Sequence, residues 1–198
     1  DAALLSPKYF TEAQKSFKKA QQIYDQGGKL ADVRKNLSKC MESLDLATRT
    51  AELCQVALKD VLAVRNEALA SGLSFDQSND FREADKKLAQ AAEKVEKGDL
   101  KGTQKPGDQA AERYRKAVLQ VLEQEVLPDA KKKLKNAKEA YTKEEYKQAE
   151  ESLKGLERMV KDQKNEEFSV AGLTTQVNEG IEQALKQSSP GSQSGTSE

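Results

Sequence analysis

Small and large apolar side chains alternate along this chain at offsets of four, seven and eleven residues, which place them on one face of an α-helix. Small residues allow helices to approach closely and large ones fill the remaining gaps. Because a single helical hairpin cannot bury such a stripe, three copies predict stacked αα-hairpins. The copies are Ala13, Phe17, Ala20 and Tyr24; Ala84, Leu88, Ala91 and Val95; and Ala130, Leu134, Ala137 and Tyr141.

The first helix has clear start and stop signals. Ser6 is expected to be its N-cap and Pro7 its first helical residue, and the glycines at 27–28 are expected to end it. Its predicted buried face consists of Phe10, Ala13, Phe17, Ala20, Ile23 and Tyr24.

The next segment is the most regular, because two apolar rows each repeat every seven residues over five heptads. Arg65 interrupts the first row, and the segment ends at 71–72. One helix of about 40 residues would span roughly 60 Å, and we interpret it as a spine with Leu44 fully buried. The rows are Leu30, Leu37, Leu44, Ala51 and Leu58, and Val33, Cys40, Ala47, Cys54 and Val61; further apolar residues that imply contact on more than one side are Leu46, Leu53, Val56, Leu62, Val64 and Leu69.

Caps and breakers divide the rest of the chain. A third helix is predicted over about 79–97 with Gly98 closing it, and Asp108 is expected to cap a fourth after a glycine-rich loop. Pro128 restarts or kinks the chain. Helices over 129–141 and 143–162 follow, with Thr142 and Glu145 forming a capping box. Predicted ion pairs four residues apart are Glu83–Lys87, Glu93–Lys97, Glu139–Lys143 and Glu150–Lys154.

The predicted fold class is therefore all-α. We expect an elongated, irregular, tetratricopeptide-like stack of antiparallel αα-hairpins around the long spine helix. One helical-repeat domain over 1–187 would contain hairpins at about 7–71, 79–127 and 129–162 and a terminal helix at 173–187. The Ser/Gly-rich tail at 188–198 is expected to be disordered.

Charge excludes some classes of function. The 33 basic and 33 acidic residues cancel, whereas disorder along a whole chain needs high net charge and nucleic-acid binding needs excess basic residues. The basic run at 131–135 is interpreted as a solvated helix face. No stretch approaches the ~18 apolar residues that a transmembrane helix needs. We therefore predict no nucleic-acid partner and no transmembrane segment.

The residue types leave little room for catalysis. The chain has no His, which excludes histidine-based acid–base schemes and removes the most common zinc ligand. Cys40 and Cys54 are expected in the core, too far apart along one helix for a disulfide. No catalytic, cofactor-binding or metal-binding residue is predicted, no cofactor is expected, and we predict that the protein is not an enzyme. The five tyrosines, at 9, 24, 114, 141 and 146, are interpreted mainly as packing residues that could alternatively line a groove.

Two resemblances to known families are present. The stretch KNAKEAYTKEEYKQAEESLKGLE is similar to a tetratricopeptide repeat, with Ala137, Tyr146, Ala149 and Leu153 at its small and aromatic core spacings. More broadly, residues 7–160 resemble the helical module of bacterial envelope lipoproteins, through RNEALASG, FREADKKLAQAAEKVEKGDLKG and AERYRKA. That module often precedes an OmpA-like domain, of which this sequence shows no sign. The resemblance implies a periplasmic or membrane-anchored lipoprotein with an interaction or spacer role.

The leading hypothesis is a non-enzymatic helical interaction or spacer protein of the bacterial cell envelope that binds a protein partner, with a lipid anchor on its precursor. A cytoplasmic location is the alternative. A second hypothesis is a tetratricopeptide-like adaptor for a peptide or a transport component. A third is a helical bundle that carries an apolar small-molecule ligand.

Overall fold

The computed structural model describes residues 2–165 and 167–186, which are helices and their connections without any strand. The all-α prediction is confirmed. The helices are α1 (Ala2–Leu5), α2 (Pro7–Asp25), α3 (Leu30–Ala57), α4 (Lys59–Ala70), α5 (Asn79–Glu96), α6 (Gln104–Val121), α7 (Leu127–Asn136), α8 (Lys143–Asp162) and α9 (Val170–Lys186). A π-helical turn occupies Leu122–Val126, and short 3₁₀ turns occupy Lys101–Thr103, Lys138–Ala140 and Gln163–Asn165.

Contacts within the chain fall into two compact units. The first unit comprises 1–65 and 80–113, and the second comprises 66–79 and 114–198. The predicted disordered tail at 188–198 lies outside the described residues.

The start of α2 differs from its predicted cap. Ser6 holds the N-cap position and Pro7 the first helical position, but the Ser6 hydroxyl makes no capping bond. It donates instead to Glu96 Oε1 at 2.8 Å. Residues 2–5 form the short helix α1, which the sequence analysis did not predict.

The predicted spine is two helices, because the backbone at Leu58 leaves helical geometry at φ −118° between α3 and α4. Gly72, at φ +74°, lies just beyond α4 as predicted. Leu44 is 42% exposed, so the prediction that it is fully buried is wrong. The second heptad row is the more buried one, and its residues Cys40, Ala47, Cys54 and Val61 are all buried.

A longer uninterrupted helical run follows, over 101–136. The predicted loop before Asp108 is shorter than expected and the predicted cap at that residue is wrong, because a 3₁₀ turn starts at Lys101 and α6 at Gln104. Pro106 is tolerated there, since the first helical turn has no intrahelical use for its missing N–H. Gly98, at φ +72°, does end α5 as predicted.

Pro128 does not separate two hairpins, so the predicted boundary between 79–127 and 129–162 is wrong. A proline inside an α-helix would clash with the carbonyl four residues earlier. The preceding π-helical turn widens the backbone, and the Leu127 amide donates to the Leu122 carbonyl five residues back. Pro128 then occupies the first turn of α7.

The α7–α8 connection contains the predicted capping box. The Glu145 amide donates to Thr142 Oγ1 at 3.2 Å, and the Thr142 amide donates to Glu145 Oε2 at 2.8 Å. The predicted helix over 129–141 is shorter, because α7 ends at Asn136. These hydrogen bonds to the side chain and the backbone of Thr142 lower the pKa of Glu145.

Two of the four predicted ion pairs form. The predicted pairs Glu93–Lys97 and Glu150–Lys154 form, at 3.9 and 3.3 Å. Glu83 pairs with Lys86 rather than with Lys87. The predicted pair Glu139–Lys143 is not seen in the described part of the chain, because the segment between α7 and α8 is not α-helical.

Replacing Thr142 by alanine is expected to lower the free energy of unfolding by about 1 kcal/mol, because the α8 N-terminus loses its cap. Thr48→Ala is the matched control, since Thr48 lies exposed within α3 and donates only to the carbonyl of Leu44. Urea unfolding curves measure both variants. Equal midpoints for Thr142→Ala and wild type would show that the capping box contributes nothing.

The last helix starts earlier than predicted, at Val170, so that Gly172 lies inside it. Glu67 accepts the backbone amide of Ala171 at 3.1 Å, and Ser169 Oγ accepts that of Gly172 at 3.1 Å. These two acceptors cap α9. The carboxylate comes from a distant position in the sequence, so local sequence signals could not reveal it.

Candidate interaction surface

Helices α2 and α3 form an antiparallel hairpin over residues 7–57. Gly27, at φ +68°, ends α2, with its amide bonded to the Tyr24 carbonyl at 3.0 Å and the Gly28 amide bonded to the Ile23 carbonyl at 2.8 Å. This left-handed cap requires a residue without a Cβ. The two helices then pack against each other.

Small side chains line the contact between the two helices. Ala13 and Ala20 of α2 and Cys40 and Ala47 of α3 are all buried. The distance between packed helices depends on the side chains at their contact. Because these four are small, the backbones approach closely and leave no room for large side chains between the helices.

The large apolar side chains of the hairpin lie outside that contact. Phe17 is 52% and Tyr24 66% exposed, and the leucines and methionine beside them are 39–67% exposed. Phe10 is half-buried. We call this set the hairpin face: Phe10, Phe17, Tyr24, Leu30, Leu37, Met41 and Leu44.

The hairpin face is a single surface. On α2, Phe17 precedes buried Ala20 by three positions, as Phe10 precedes Ala13. On α3, Leu37 precedes buried Cys40 in the same way. The exposed row is therefore rotated from the buried row in the same sense on both helices. Because the helices are antiparallel, equal rotation brings both exposed rows to the same side of the hairpin.

The two rows are also in register. Residues at equal distances from the turn lie side by side in an antiparallel hairpin. Counted from Gly27, the aromatic residues of α2 and the leucines of α3 are three, ten and seventeen positions away. This matching gives three apolar pairs along the face: Tyr24 with Leu30, Phe17 with Leu37, and Phe10 with Leu44.

The exposed area of the hairpin face lies at the upper end of the range for the largest apolar patch on a monomer. At roughly 200 Å² for a large apolar side chain, six side chains that are about half exposed leave on the order of 600 Å² accessible. The largest apolar patch on a typical monomer is roughly 300–600 Å² and is often functional. Exposed Leu46 and Leu53 lie on the opposite side of α3 and do not extend this face.

Polar residues border the hairpin face. Gln14 and Gln21 lie along its α2 edge, and Arg34 and Asp45 lie along its α3 edge, all of them exposed. Within the described part of the chain, neither Arg34 nor Asp45 has an ion-pair partner. An apolar centre with a polar rim is the composition of a protein–protein interface.

A buried polar cluster fixes the base of the hairpin. Glu96, at the end of α5, accepts the Ser6 hydroxyl at 2.8 Å and the Tyr9 amide at 3.3 Å through Oε1. Its Oε2 is buried and has no hydrogen-bond partner among the described residues. The carboxylate thus stabilises the N-terminus of α2, where unpaired amides attract negative charge.

Cys54 belongs to the same region and is fully buried. Its thiol donates to the Leu5 carbonyl at 3.2 Å. Burial raises the pKa of Cys54 to about 11, and the nearby Glu96 carboxylate adds to the effect. A thiol that stays protonated is a poor nucleophile, so the geometry favours a packing role, as predicted.

The tyrosines divide between core and surface. Tyr114 is fully buried, whereas Tyr24 belongs to the hairpin face. Tyr141 and Tyr146 pack edge to face, with ring centroids 6.2 Å apart, against the core of α7, α8 and α9. The Tyr141 hydroxyl donates to the Leu185 carbonyl at 3.2 Å. In that core Ala149 and Leu153 are buried, at positions of the tetratricopeptide resemblance.

Within 2–165 and 167–186, no three His, Cys, Asp or Glu side chains come together as metal ligands would. None of the helices in these ranges has the length and apolar character needed to cross a bilayer. Sequence reasoning predicted no site residue and also missed the hairpin face. The signal that could have found it is the recurrence of large apolar residues every seven positions on both helices, as at Phe10, Phe17 and Tyr24.

Comparison of the chain with protein-family models, with curated proteins and with solved structures found no match. The resemblance to envelope lipoproteins and to the tetratricopeptide repeat therefore stays a prediction from sequence. What the structure defines is an all-α protein with an exposed apolar face on its first hairpin.

Proposed function

We propose that this chain is a non-enzymatic helical interaction protein that binds a protein partner through the hairpin face. The observation that carries the proposal is the exposure of three in-register apolar pairs, with Phe17 and Leu37 at their centre. Leaving this surface in water is unfavourable by roughly 25 cal/mol per Å². A partner that covers it recovers that free energy.

The proposal includes a location in the bacterial cell envelope, as a periplasmic or lipid-anchored protein. Its support is the resemblance of residues 7–160 to the helical module of envelope lipoproteins. Fractionation of tagged protein expressed from the complete gene tests this part. Recovery with the cytoplasmic fraction alone would contradict the location without affecting the proposed binding surface.

Substitution within the hairpin face tests the binding function. Wild type and the double variant Phe17→Glu/Leu37→Glu serve as baits for chemical cross-linking in an envelope extract. The matched control, Leu46→Glu/Leu53→Glu, places the same charges on the opposite side of the hairpin. We expect a partner that wild type and control retain and that the face variant loses at least tenfold. Equal recovery with all three baits would refute the proposal.

A further inference from the structure

We propose that the occupant of the hairpin face is a second copy of this chain, in an antiparallel twofold dimer that completes a four-helix bundle. This inference rests on the proposed function, because it names the partner of the same surface. Three observations carry it: the spacing of the apolar residues, the positions of two unpaired charges, and the size of the face.

A twofold interface must be self-complementary, so that residue i meets residue j and j meets i. If two hairpins meet face to face with α2 against α2 and α3 against α3, each helix runs antiparallel to its copy. The twofold axis passes each helix at one point. A residue on one side of that point then meets the residue of the other copy that lies at the same distance on the opposite side.

Two apolar pairs at the centre of the face satisfy this condition at one position of the axis. An axis beside position 39 of α3 sets Leu37 of each copy against Met41 of the other. An axis between positions 13 and 14 of α2 sets Phe10 of each copy against Phe17 of the other. Position 39 of α3 lies twelve residues from Gly27. Positions 14 and 13 of α2 lie thirteen and fourteen residues from it. Both helices therefore place the axis at nearly the same level.

The charges on the rim agree with the same axis. Arg34 and Asp45 lie on the same outer edge of α3, and their midpoint falls between positions 39 and 40. The axis therefore brings Arg34 of each copy to Asp45 of the other, twice per dimer. Opposite charges in such a pair fix register and orientation. No described residue of their own chain forms an ion pair with either side chain.

The alternative twofold arrangement conflicts with the rim charges. An axis running along the hairpin would place α2 over α3 of the second copy. Lys18 and Arg34 lie nine and seven positions from Gly27, both on the outer edges of the face. In that arrangement the two cations would be neighbours along both outer edges of the dimer, and like-charge contacts across an interface are unfavourable.

The size of the face suits this occupant. The exposed area of on the order of 600 Å² approaches the ~800 Å² that each partner buries in a standard interface, and the polar rim adds to it. Residues 187–198 contain no residue with an aliphatic or aromatic side chain apart from proline. That segment of the chain therefore offers nothing to cover the face.

Charge reversal tests the pairing directly. Sedimentation equilibrium of the full chain at several concentrations should show a monomer–dimer equilibrium for wild type. Arg34→Asp alone and Asp45→Arg alone should each raise the dimer dissociation constant by roughly tenfold, because each change affects two symmetry-related pairs. The double variant Arg34→Asp/Asp45→Arg should restore the wild-type constant. Adding salt to about 1 M should shrink the effect of each single reversal.

Leu37→Glu tests the apolar centre and should abolish the dimer, with Leu53→Glu as the control on the opposite side. Circular dichroism establishes that each variant is folded. A monomeric wild type at all concentrations overturns the inference, and so does a dimer that Leu37→Glu leaves intact. Unaffected single reversals, or a double variant that is not restored, overturn the antiparallel pairing.

The outcomes separate this inference from the proposed function. If wild type is monomeric but the variant Phe17→Glu/Leu37→Glu loses its cross-linked envelope partner, the face binds a different protein and only the second-copy inference fails. If wild type is monomeric and no bait differs from another, both fail.

Discussion

Leu88→Ala is expected to lower the free energy of unfolding by about 2–5 kcal/mol, the range found for buried leucines. Leu88 is fully buried near the centre of α5, with Ala84 and Ala91 buried one turn to either side. Alanine would remove apolar contact and leave a cavity that its small neighbours cannot fill. Urea unfolding curves measure the change, which would be a large share of the ~5–15 kcal/mol typical of a domain.

Leu44→Ala is the matched control, because it makes the same chemical change at a side chain that is 42% exposed. The cavity is then smaller and open to water, so we expect a loss of about 1 kcal/mol or less. Low protein concentration keeps association through the hairpin face from contributing. A loss at Leu44 equal to that at Leu88 would show that α3 is buried on both sides.

Stability is expected to fall between about pH 9 and pH 11 through Cys54. The native pKa is about 11 and that of an exposed thiol is 9.0, so the unfolded chain releases its proton first as pH rises. A raised native pKa therefore contributes stability that is complete below pH 9 and is lost as pH rises through 11. By pH 10 the loss should reach about 1.4 kcal/mol, since one pKa unit corresponds to that free energy.

Cys54→Ser isolates this effect, because serine keeps a donor for the Leu5 carbonyl and does not titrate in this range. Lysines and tyrosines titrate in both proteins and cancel in the difference. Urea curves at pH 8, 9 and 10 should show wild type losing its advantage over the variant. A difference that does not change with pH would mean that the native thiol titrates as an exposed one does.

Local signals in the sequence predicted the ends of several helices. Gly27, Gly72 and Gly98 all adopt positive φ just after helices end, and the Thr142 capping box starts α8 at the predicted residue. Each of these features depends on backbone conformation and hydrogen bonds within a few residues. Such interactions involve residues that are close in the sequence, so they can be predicted without knowing the tertiary contacts.

Local signals could not predict which of the two heptad rows of α3 is buried. Both heptad rows of α3 are apolar, and the sequence predicted both in the core, with Leu44 fully buried. The structure buries Cys40 and Ala47 but leaves Leu37 and Leu44 exposed, because α2 approaches through Ala13 and Ala20. Which row is covered depends on the partner helix. Because the sequence does not show where α2 packs on α3, the hairpin face was not predicted from it.

Two prolines led to wrong predictions of helix boundaries in the helical run over 101–136. Pro106 and Pro128 were interpreted as a loop residue and a hairpin boundary, yet each lies in the first turn of a helix, at α6 and α7. The Ser6–Glu96 hydrogen bond and the Glu67 cap of α9 join residues about 90 and 104 positions apart. Contacts of that separation leave no local trace in the sequence.

The π-helical turn at Leu122–Val126 changes how the apolar residues on either side of it should be counted. Buried Tyr114, Val118 and Leu122 follow one another at intervals of four, and the next buried residue is Leu127, five positions on. The wide turn absorbs that extra position, so the stripes before and after it stay aligned although their sequence phases differ by one. In evolutionary terms, the turn has the form of a one-residue insertion that the helix accommodates without rotating its downstream side chains. Deleting one residue from 123–126 while replacing Pro128 would then be a smaller perturbation than a deletion anywhere else in the same helix.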